Sequence, residues 1–246
     1  MQRETEVIRM PPTEVQVQPV VDNGDLERIA DIEAKAYGAS SAMIQLMFPK
    51  SSAQSPETVR SSKISRHNRV WQSDSSVHYI KAVTYETSPD GAMSERIIGA
   101  AVYHIYESSH TIDERCPWPS RPEQVPEGAN VPLCLHYFQT LTQARLDFTK
   151  GAPHAFLANL VVDPSFQRRG VGTKLLDFMI AEIAGSTDQA AMACWLDASP
   201  AGLKTYQRLG WEEVGATNFE MEQWGGAKGK SHKNVHMMKW ISVSTS

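Results

Sequence analysis

"VVDPSFQRRGVGTKLL" (161–176) passes from an apolar segment, through Asp163 and Pro164, into two arginines and two glycines, then into a second apolar pattern. The segment leading into it, "HAFLANLVV" (154–162), is strand-like. After it, Val171, Leu175, Met179 and Ile183 recur at helical spacing with Leu176 and Ile180 beside them. That spacing predicts an amphipathic helix over 170–185 that stops at Gly185. Gln167 to Thr173 is therefore a strand-to-helix turn. A helix N-terminus has free backbone N–H groups and a partial positive charge, so it attracts anions. Gly170 and Gly172 let a ligand approach the backbone and permit φ > 0, and Arg168 and Arg169 add charge. The turn suits a pyrophosphate. Its plain alternative is a tight turn carrying two solvated arginines. Two common phosphate motifs fail on spacing: no Gly-Lys pair follows at the Walker interval, and GxGxxG breaks at Leu175.

Outward from this turn, "AAMACWLDA" (190–198) reads as a strand. "SPAGLKTYQRLG" (199–210) reads as a short helix with Ser199 as N-cap, Pro200 in the first turn and Gly210 as its stop. "WEEVGATNFEMEQW" and "KNVHMMKWI" are closing strands joined by the basic, glycine-rich "GGAKGK". Upstream, "VQVQPVV" (15–21) alternates like a strand. "NGDLERIADIEAKAYG" (23–38) is helical, with Asp25 as N-cap, Leu26, Ile29, Ile32, Glu33 and Ala36 at helical spacing, and Gly38 as stop. Residues 39–75 hold "SSAMIQLMFP", a short helix or an apolar loop, and a polar helix starting near Ser55 with Pro56 at its first position. "HYIKAVTYE" (78–86) and "RIIGAAVYHIYE" (96–107) form a hairpin through Pro-Asp-Gly. The proline-rich 115–132 is an insertion without regular structure, and 133–151 is a helix ending at Gly151. The order is that of a mixed α/β chain, and one domain over 1–246 accommodates it.

An apolar content of 41% and a charged content of 21% are those of a globular protein with a sizeable core. A net charge of −4 gives no global reason to bind nucleic acid or an anionic membrane. Cys116, Cys134 and Cys194 are odd in number and lack CxxC spacing, so neither a disulfide framework nor a zinc site is expected. Free thiols, no leader and no 18-residue apolar run point to a cytoplasmic protein without a metal.

"LVVDPSFQRRGVGTKLL" (160–176) resembles motif A of the GCN5-related N-acetyltransferase (GNAT) superfamily, whose signature is Q/R-x-x-G-x-G/A. "SPAGLKTYQRLGWEEVG" (199–215) resembles motif B, where a tyrosine precedes an L-G-F/W turn. The likeness is close over about 150–215 and otherwise extends to element order, with insertions at about 39–75 and 107–150. The form "DASPAGLKTYQRLGW" looks like fungal members. The resemblance implies a twisted mixed sheet with helices on both faces, splayed between its fourth and fifth strands, here 154–162 and 190–198. It implies acetyl-CoA as cofactor, with pantetheine along the backbone of Leu160, Val161 and Val162. The pyrophosphate would lie on Arg168, Arg169, Gly170, Val171, Gly172 and Thr173, with Gln167 and Ser199 as further cofactor-binding residues and Tyr206 near the thiol. An N–H near Leu160 would serve the thioester oxygen.

Acetyl transfer to an amine needs a proton removed from the nucleophile and one supplied to the thiolate. A positioned acid or base contributes roughly 10²–10⁴-fold. Tyr206 is the candidate acid, or else a core aromatic. The base is open. The fourth strand has no carboxylate, and Phe156 and Ala158 stand where one subgroup has histidines. Asn159 could hold a water or orient the acetyl carbonyl. Asp197 could act through water or cap the turn before Ser199, and a water chain without a base is a further option. His104 either faces the cleft or is structural. Cys194 and Trp195 read as packing. The acceptor is expected to be a small-molecule amine, with a protein N-terminus or lysine as alternative and a non-catalytic acyl-CoA-binding module as another. The 107–150 insert, with Trp118, His136, Tyr137 and Phe138, offers aromatic lining, and Glu107, Asp113 and Glu114 offer attraction for a cation. A monomer or homodimer is expected.

Overall fold

The computed structural model describes residues 14–37, 41–49, 56–87, 92–108, 119–186 and 191–242. Gly38, the Pro-Asp-Gly turn, Asp113, Glu114, Cys116 and Trp118 lie outside the described residues. The strands are β1 (Gln16–Pro19), β2 (Val77–Thr87), β3 (Met93–Tyr106), β4 (His154–Val162), β5 (Ala191–Ala198), β6 (Glu212–Glu220) and β7 (Ser231–Ser242). They form one mixed sheet in the order β1-β2-β3-β4-β5-β7-β6. The helices are α1 (Asn23–Tyr37), α2 (Ala42–Met47), α3 (Pro56–Ser73), α4 (Val131–Thr149), α5 (Val171–Ser186) and α6 (Leu203–Arg208). β4 and β5 pair in parallel. A parallel pair needs a long crossover, and α5 supplies it.

The stripe that predicts α5 is its contact with the sheet. Val171, Leu175, Leu176, Met179 and Ile183 are buried in one cluster with Ile80, Ala101, Tyr103, Ala155 and Leu157. Burying a side chain of this kind is worth about 1.5–3 kcal/mol. Gly99 of β3 lets α5 come close: a Cβ there would lie 2.9 Å from Val161 O and 3.2 Å from Val171 Cγ1. On the opposite face, Leu26, Ile29 and Ile32 of α1 pack on Tyr79, Val83, Val102 and Val161. A third cluster joins Met43 and Met47 of α2, Leu133, Cys134 and Leu141 of α4, and Phe219 of β6.

Several local expectations are corrected. Asp25 does not cap α1; Asp22 does, accepting the Asp25 N–H at 3.0 Å. The Asp25 carboxylate is drawn instead to the buried Lys81 ammonium at 2.8 Å. Ser199 is not the N-cap of α6, which starts at Leu203 behind Gly202. The Ser199 carbonyl accepts the N–H groups of Gly202 and Leu203, so Pro200 and Ala201 serve a turn first. Gly185 lies inside α5, which runs on to Ser186. Within 41–49 the chain forms helix α2, with the Ser41 hydroxyl accepting the Ile44 N–H. Among the described residues of the proline-rich insert, Pro122–Gln124 forms a 3-10 turn. No helix among the described residues is long and apolar enough to cross a membrane.

Candidate active site

The sheet forks between β4 and β5. Their ladder runs from His154↔Ala193 to Leu157↔Leu196 and stops. β4 continues to pair with β3 as far as Val162, and β5 continues with β7 as far as Ala198. The β5-side edge of Ala158 to Val162, which includes Leu160, Val161 and Val162, therefore has no strand partner. A bulge marks the fork: Tyr103 faces Leu157 and Val102 faces Asn159, leaving Ala158 as the extra residue. A bulge bends its strand and re-aims the next side chain, here Asn159.

Below the fork lies the quoted turn. Asp163 anchors its start, accepting the Ser165 N–H at 3.1 Å and the Arg28 guanidinium at 3.1 Å. The first helical bond of α5 is Lys174 N–H to Gly170 O at 3.0 Å, so the N–H groups of Val171, Gly172 and Thr173 have no acceptor within the helix. Gln167, Arg168, Arg169 and Gly170 are exposed. The left-handed residues are Arg168 (φ 60) and Gly170 (φ 81), not Gly172. The freedom that Gly172 gives is spatial: a Cβ there would have only ordinary contacts, 3.9 Å from Leu160 and from Val162. Left-handed positions in a turn orient successive N–H groups into an anion-binding concavity.

Above the fork is a polar cluster drawn from five elements. Asn159 Nδ2 donates to Glu33 Oε1 of α1 at 2.5 Å, and Asn159 Oδ1 accepts from Tyr37 OH. Glu33 is sealed from solvent, 3% exposed. Burial pushes its carboxyl upward, but the contact with His67 and the positive charges of Arg66 and Lys63 outweigh burial and hold it below its ordinary range. The Tyr37 phenol is raised well above its ordinary value, by burial first and then by the Glu33 carboxylate, with the Tyr206 and Tyr137 side chains close enough to contribute. Tyr206 is buried in the core edge-on to Trp211, 6.1 Å between rings. Burial holds its phenol above the ordinary value of 10.0, so it stays protonated and can donate. Tyr137 of α4 donates to Asn234 Oδ1 of β7 at 3.1 Å, and burial pushes it up to about 12.

Asp197 is committed to neighbours. Its Oδ1 meets His236 Nδ1 at 2.6 Å and accepts Trp195 Nε1–H at 3.2 Å. His236 continues to Thr217 Oγ1 at 2.8 Å. His104 is buried and meets Ser76 Oγ at 3.1 Å. Cys194 and Trp195 are buried, and burial raises the Cys194 thiol. Among the described residues no group of three His, Cys, Asp or Glu could hold a metal ion.

Glu33, Tyr37 and His67 were not candidates from sequence, and Tyr137 was named only as aromatic lining of the insert. Glu33 left one signal. It occupies an apolar position of the α1 stripe (Leu26, Ile29, Glu33, Ala36), and a carboxylate there is buried by construction. Tyr137, His67 and Tyr37 carry no comparable mark.

A model of the acetyltransferase (GNAT) domain family matches residues 138–213. A [ribosomal protein bS18]-alanine N-acetyltransferase of Salmonella typhimurium is 36% identical over 77 residues, 30% of this chain and 46% of that protein. Its Escherichia coli K12 counterpart is 28% identical over 118 residues, 46% of this chain and 74% of that protein. The chain thus spans about half of the first relative and three quarters of the second. Arylalkylamine N-acetyltransferase 2 from Aedes aegypti shares the fold at 15% identity, with a TM-score of 0.61 over 93% of this chain and 99% of that one. The fungal likeness of 197–211 is not borne out by these matches.

Proposed function

We propose that this chain, whose residues 138–213 match the acetyltransferase (GNAT) domain family, moves an acetyl group from acetyl-CoA to the primary amine of a small molecule, by direct attack in a ternary complex. Acetyl-CoA brings the activated acyl group and a thiolate leaving group. The residues fit such a molecule. The unpartnered β4 edge at Leu160, Val161 and Val162 suits the amides of pantetheine, and the 167–173 turn suits a diphosphate. Ser199 is exposed just beyond β5 and is a further contact for the cofactor.

Glu33 takes the proton of the attacking amine, directly or through water. Asn159 and Tyr37 hold its carboxylate and the acceptor in register, and this replaces a water held by Asn159 alone. Tyr206 donates to the departing thiolate. Asp197, bound by His236 and Trp195, orients the far wall instead of acting as a free base. One observation carries the small-molecule reading: Tyr137 on α4 is tied to Asn234 on β7. The bond ties α4 to β7 with an aromatic side chain, which suits a small acceptor better than a long chain.

A second reading, acetylation of a protein N-terminus, is favoured by the bS18-acetylating relatives. It is favoured also by a groove of about 510 Å³ between α2 and the β6–β7 connection, lined by Gln45, Leu46, Met221 and Lys230. We place the protein in the cytoplasm on its buried free thiols, Cys134 and Cys194. The deciding experiment is thiol release from acetyl-CoA with a panel of arylalkylamines and alkylamines beside alanine-terminated peptides. Turnover on the amines supports the small-molecule reading and turnover on peptides alone replaces it. No turnover, with acetyl-CoA bound, leaves an acyl-CoA-binding module.

A further inference from the structure

A proton taken by Glu33 has to leave a sealed carboxylate before the next cycle. Beneath α3 runs a line of proton-carrying groups that the chemistry above does not use. Glu33 Oε1 is 3.1 Å from His67 Nε2, and His67 Nδ1 is 3.0 Å from Tyr79 OH. Both residues line a cavity of about 30 Å³ that Asn159 and His104 also line. A cavity of this size has room for a water with two to four polar partners, and these four residues supply them. His104 Nδ1 is 3.1 Å from Ser76 Oγ and 3.5 Å from Asp74 Oδ2, and Ser76 Oγ donates to Asp74 Oδ1 at 2.7 Å. The His67 and His104 side chains are 3% and 1% exposed, whereas Asp74 is 32% exposed. The line begins sealed and ends in solvent.

We propose that His67 and His104 form a proton-exit relay that empties Glu33 to solvent at Asp74; this rests on the reading of Glu33 as the base. The step balances without a co-reactant. The acceptor nitrogen loses a proton to Glu33, and Glu33 passes one to His67 Nε2. His67 releases the proton on Nδ1 to Tyr79 OH and the cavity water, the water hands one to His104, and His104 passes one through Ser76 Oγ to Asp74 and bulk solvent. Each imidazole gains a proton at one nitrogen and loses one at the other, so no charge accumulates. The other charges facing Glu33 and His67 are Lys63 and Arg66 of α3, with Tyr79 from β2 and Asn159 from β4 neutral. Around His104, Tyr106 and Phe156 stack at 5.4 and 6.4 Å and Asp74 is the near charge. A guanidinium or ammonium cannot pass the proton on at neutral pH, which leaves the imidazoles as carriers. Both histidines are positioning residues, since they act through Glu33.

The test has two arms on the full chain. In the first, ¹⁵N NMR follows the histidine imidazoles of wild type, Glu33→Gln and His104→Gln without substrate. The relay requires Glu33→Gln to shift the signals of both His67 and His104, and His104→Gln to shift His67. A His104 signal that ignores Glu33→Gln while His67 responds would overturn it. In the second arm, thiol release is measured with acetyl-CoA and tyramine. His104→Gln is expected to lower kcat about tenfold, with acetyl-CoA KM unchanged, a larger solvent deuterium effect and partial recovery in imidazole buffer. An unchanged kcat and isotope effect would equally overturn the relay. His104→Phe, which keeps the stacked ring, repeats both arms if the glutamine variant does not fold. A wild type that turns over neither tyramine nor the other amines counts against the acetyltransferase reading, and the NMR arm alone then decides the relay.

Discussion

The two ends of the β4–β5 fork are built in opposite ways. The lower end is one continuous segment, Asp163 to Thr173, and works through backbone N–H groups at an exposed turn. The upper end is assembled from α1, α4, β4, α6 and β7, and works through buried and half-buried side chains: Glu33 and Tyr206 are buried, Tyr37, Asn159 and Tyr137 half-buried. A backbone site needs a turn of given geometry, which neighbours in sequence can specify. A side-chain site needs only that distant positions meet, so each residue is free to come from anywhere in the chain. On the function proposed above, the lower end would hold the part common to all acyl-CoA molecules and the upper end would choose the acceptor.

If that division holds, damage to the two ends should separate. The largest effect is expected from Glu33→Gln: kcat should fall roughly 10³-fold, within the range of a lost general base, while the thermal stabilisation by acetyl-CoA stays as in wild type. A loss of cofactor binding along with kcat would mean the two ends are not independent. Tyr206→Phe comes next, with kcat down roughly 10²-fold and acetyl-CoA KM little changed. A turnover equal to wild type would return Tyr206 to its packing role beside Trp211.

Gly99→Ala tests the support common to both ends. The added methyl meets Val161 O at 2.9 Å and Val171 at 3.2 Å, and overpacking of this kind costs about 1–3 kcal/mol. For a chain this size the melting midpoint should drop by roughly 2–4 °C per kcal/mol, with both functions weakened together. An unchanged midpoint would show that α5 does not rest on β3 as described.

The smallest effect is on stability against pH. The folded-state carboxyl of Glu33 is held below its ordinary value of 4.5. Its contribution is therefore in full above that value and is lost as pH falls through the depressed one. Wild type should lose stability on acidification below pH 4.5 more steeply than Glu33→Gln, a difference that urea unfolding at a series of pH values would measure. Parallel curves would mean that Glu33 gains nothing from His67, Arg66 and Lys63.

The same division explains what the sequence disclosed. β4 begins and ends where its apolar run does, and the Val171–Ile183 stripe is the buried face of α5, because strand and helix periods are local properties. The fork itself was accessible only through the resemblance, since the stop after Leu157↔Leu196 depends on β5 following β7. Caps failed where a tertiary partner competed: Asp25 left the cap for Lys81, and Pro200 closed a turn before α6 could start. At the acceptor end Asn159 and Tyr206 were legible from motifs on their own elements. The contacts Glu33–Asn159 and Tyr137–Asn234 were not legible, because they span 126 and 97 positions. Glu33 alone betrayed itself, as a carboxylate in an apolar stripe.

The most direct measurement is thermal unfolding of wild type and Gly172→Glu with acetyl-CoA, using NADH and ATP as controls. The glutamate has space above Leu160 and Val162, so the variant should fold, but its carboxylate would occupy the diphosphate position at the N-terminus of α5. At 100 times the dissociation constant a ligand adds about 2.7 kcal/mol, which raises the wild-type midpoint by roughly 5–10 °C. The account predicts that rise for wild type with acetyl-CoA alone, and its absence in the variant. A folded wild type whose midpoint does not move, or a variant that responds as wild type does, would contradict an acyl-CoA site at the 167–173 turn.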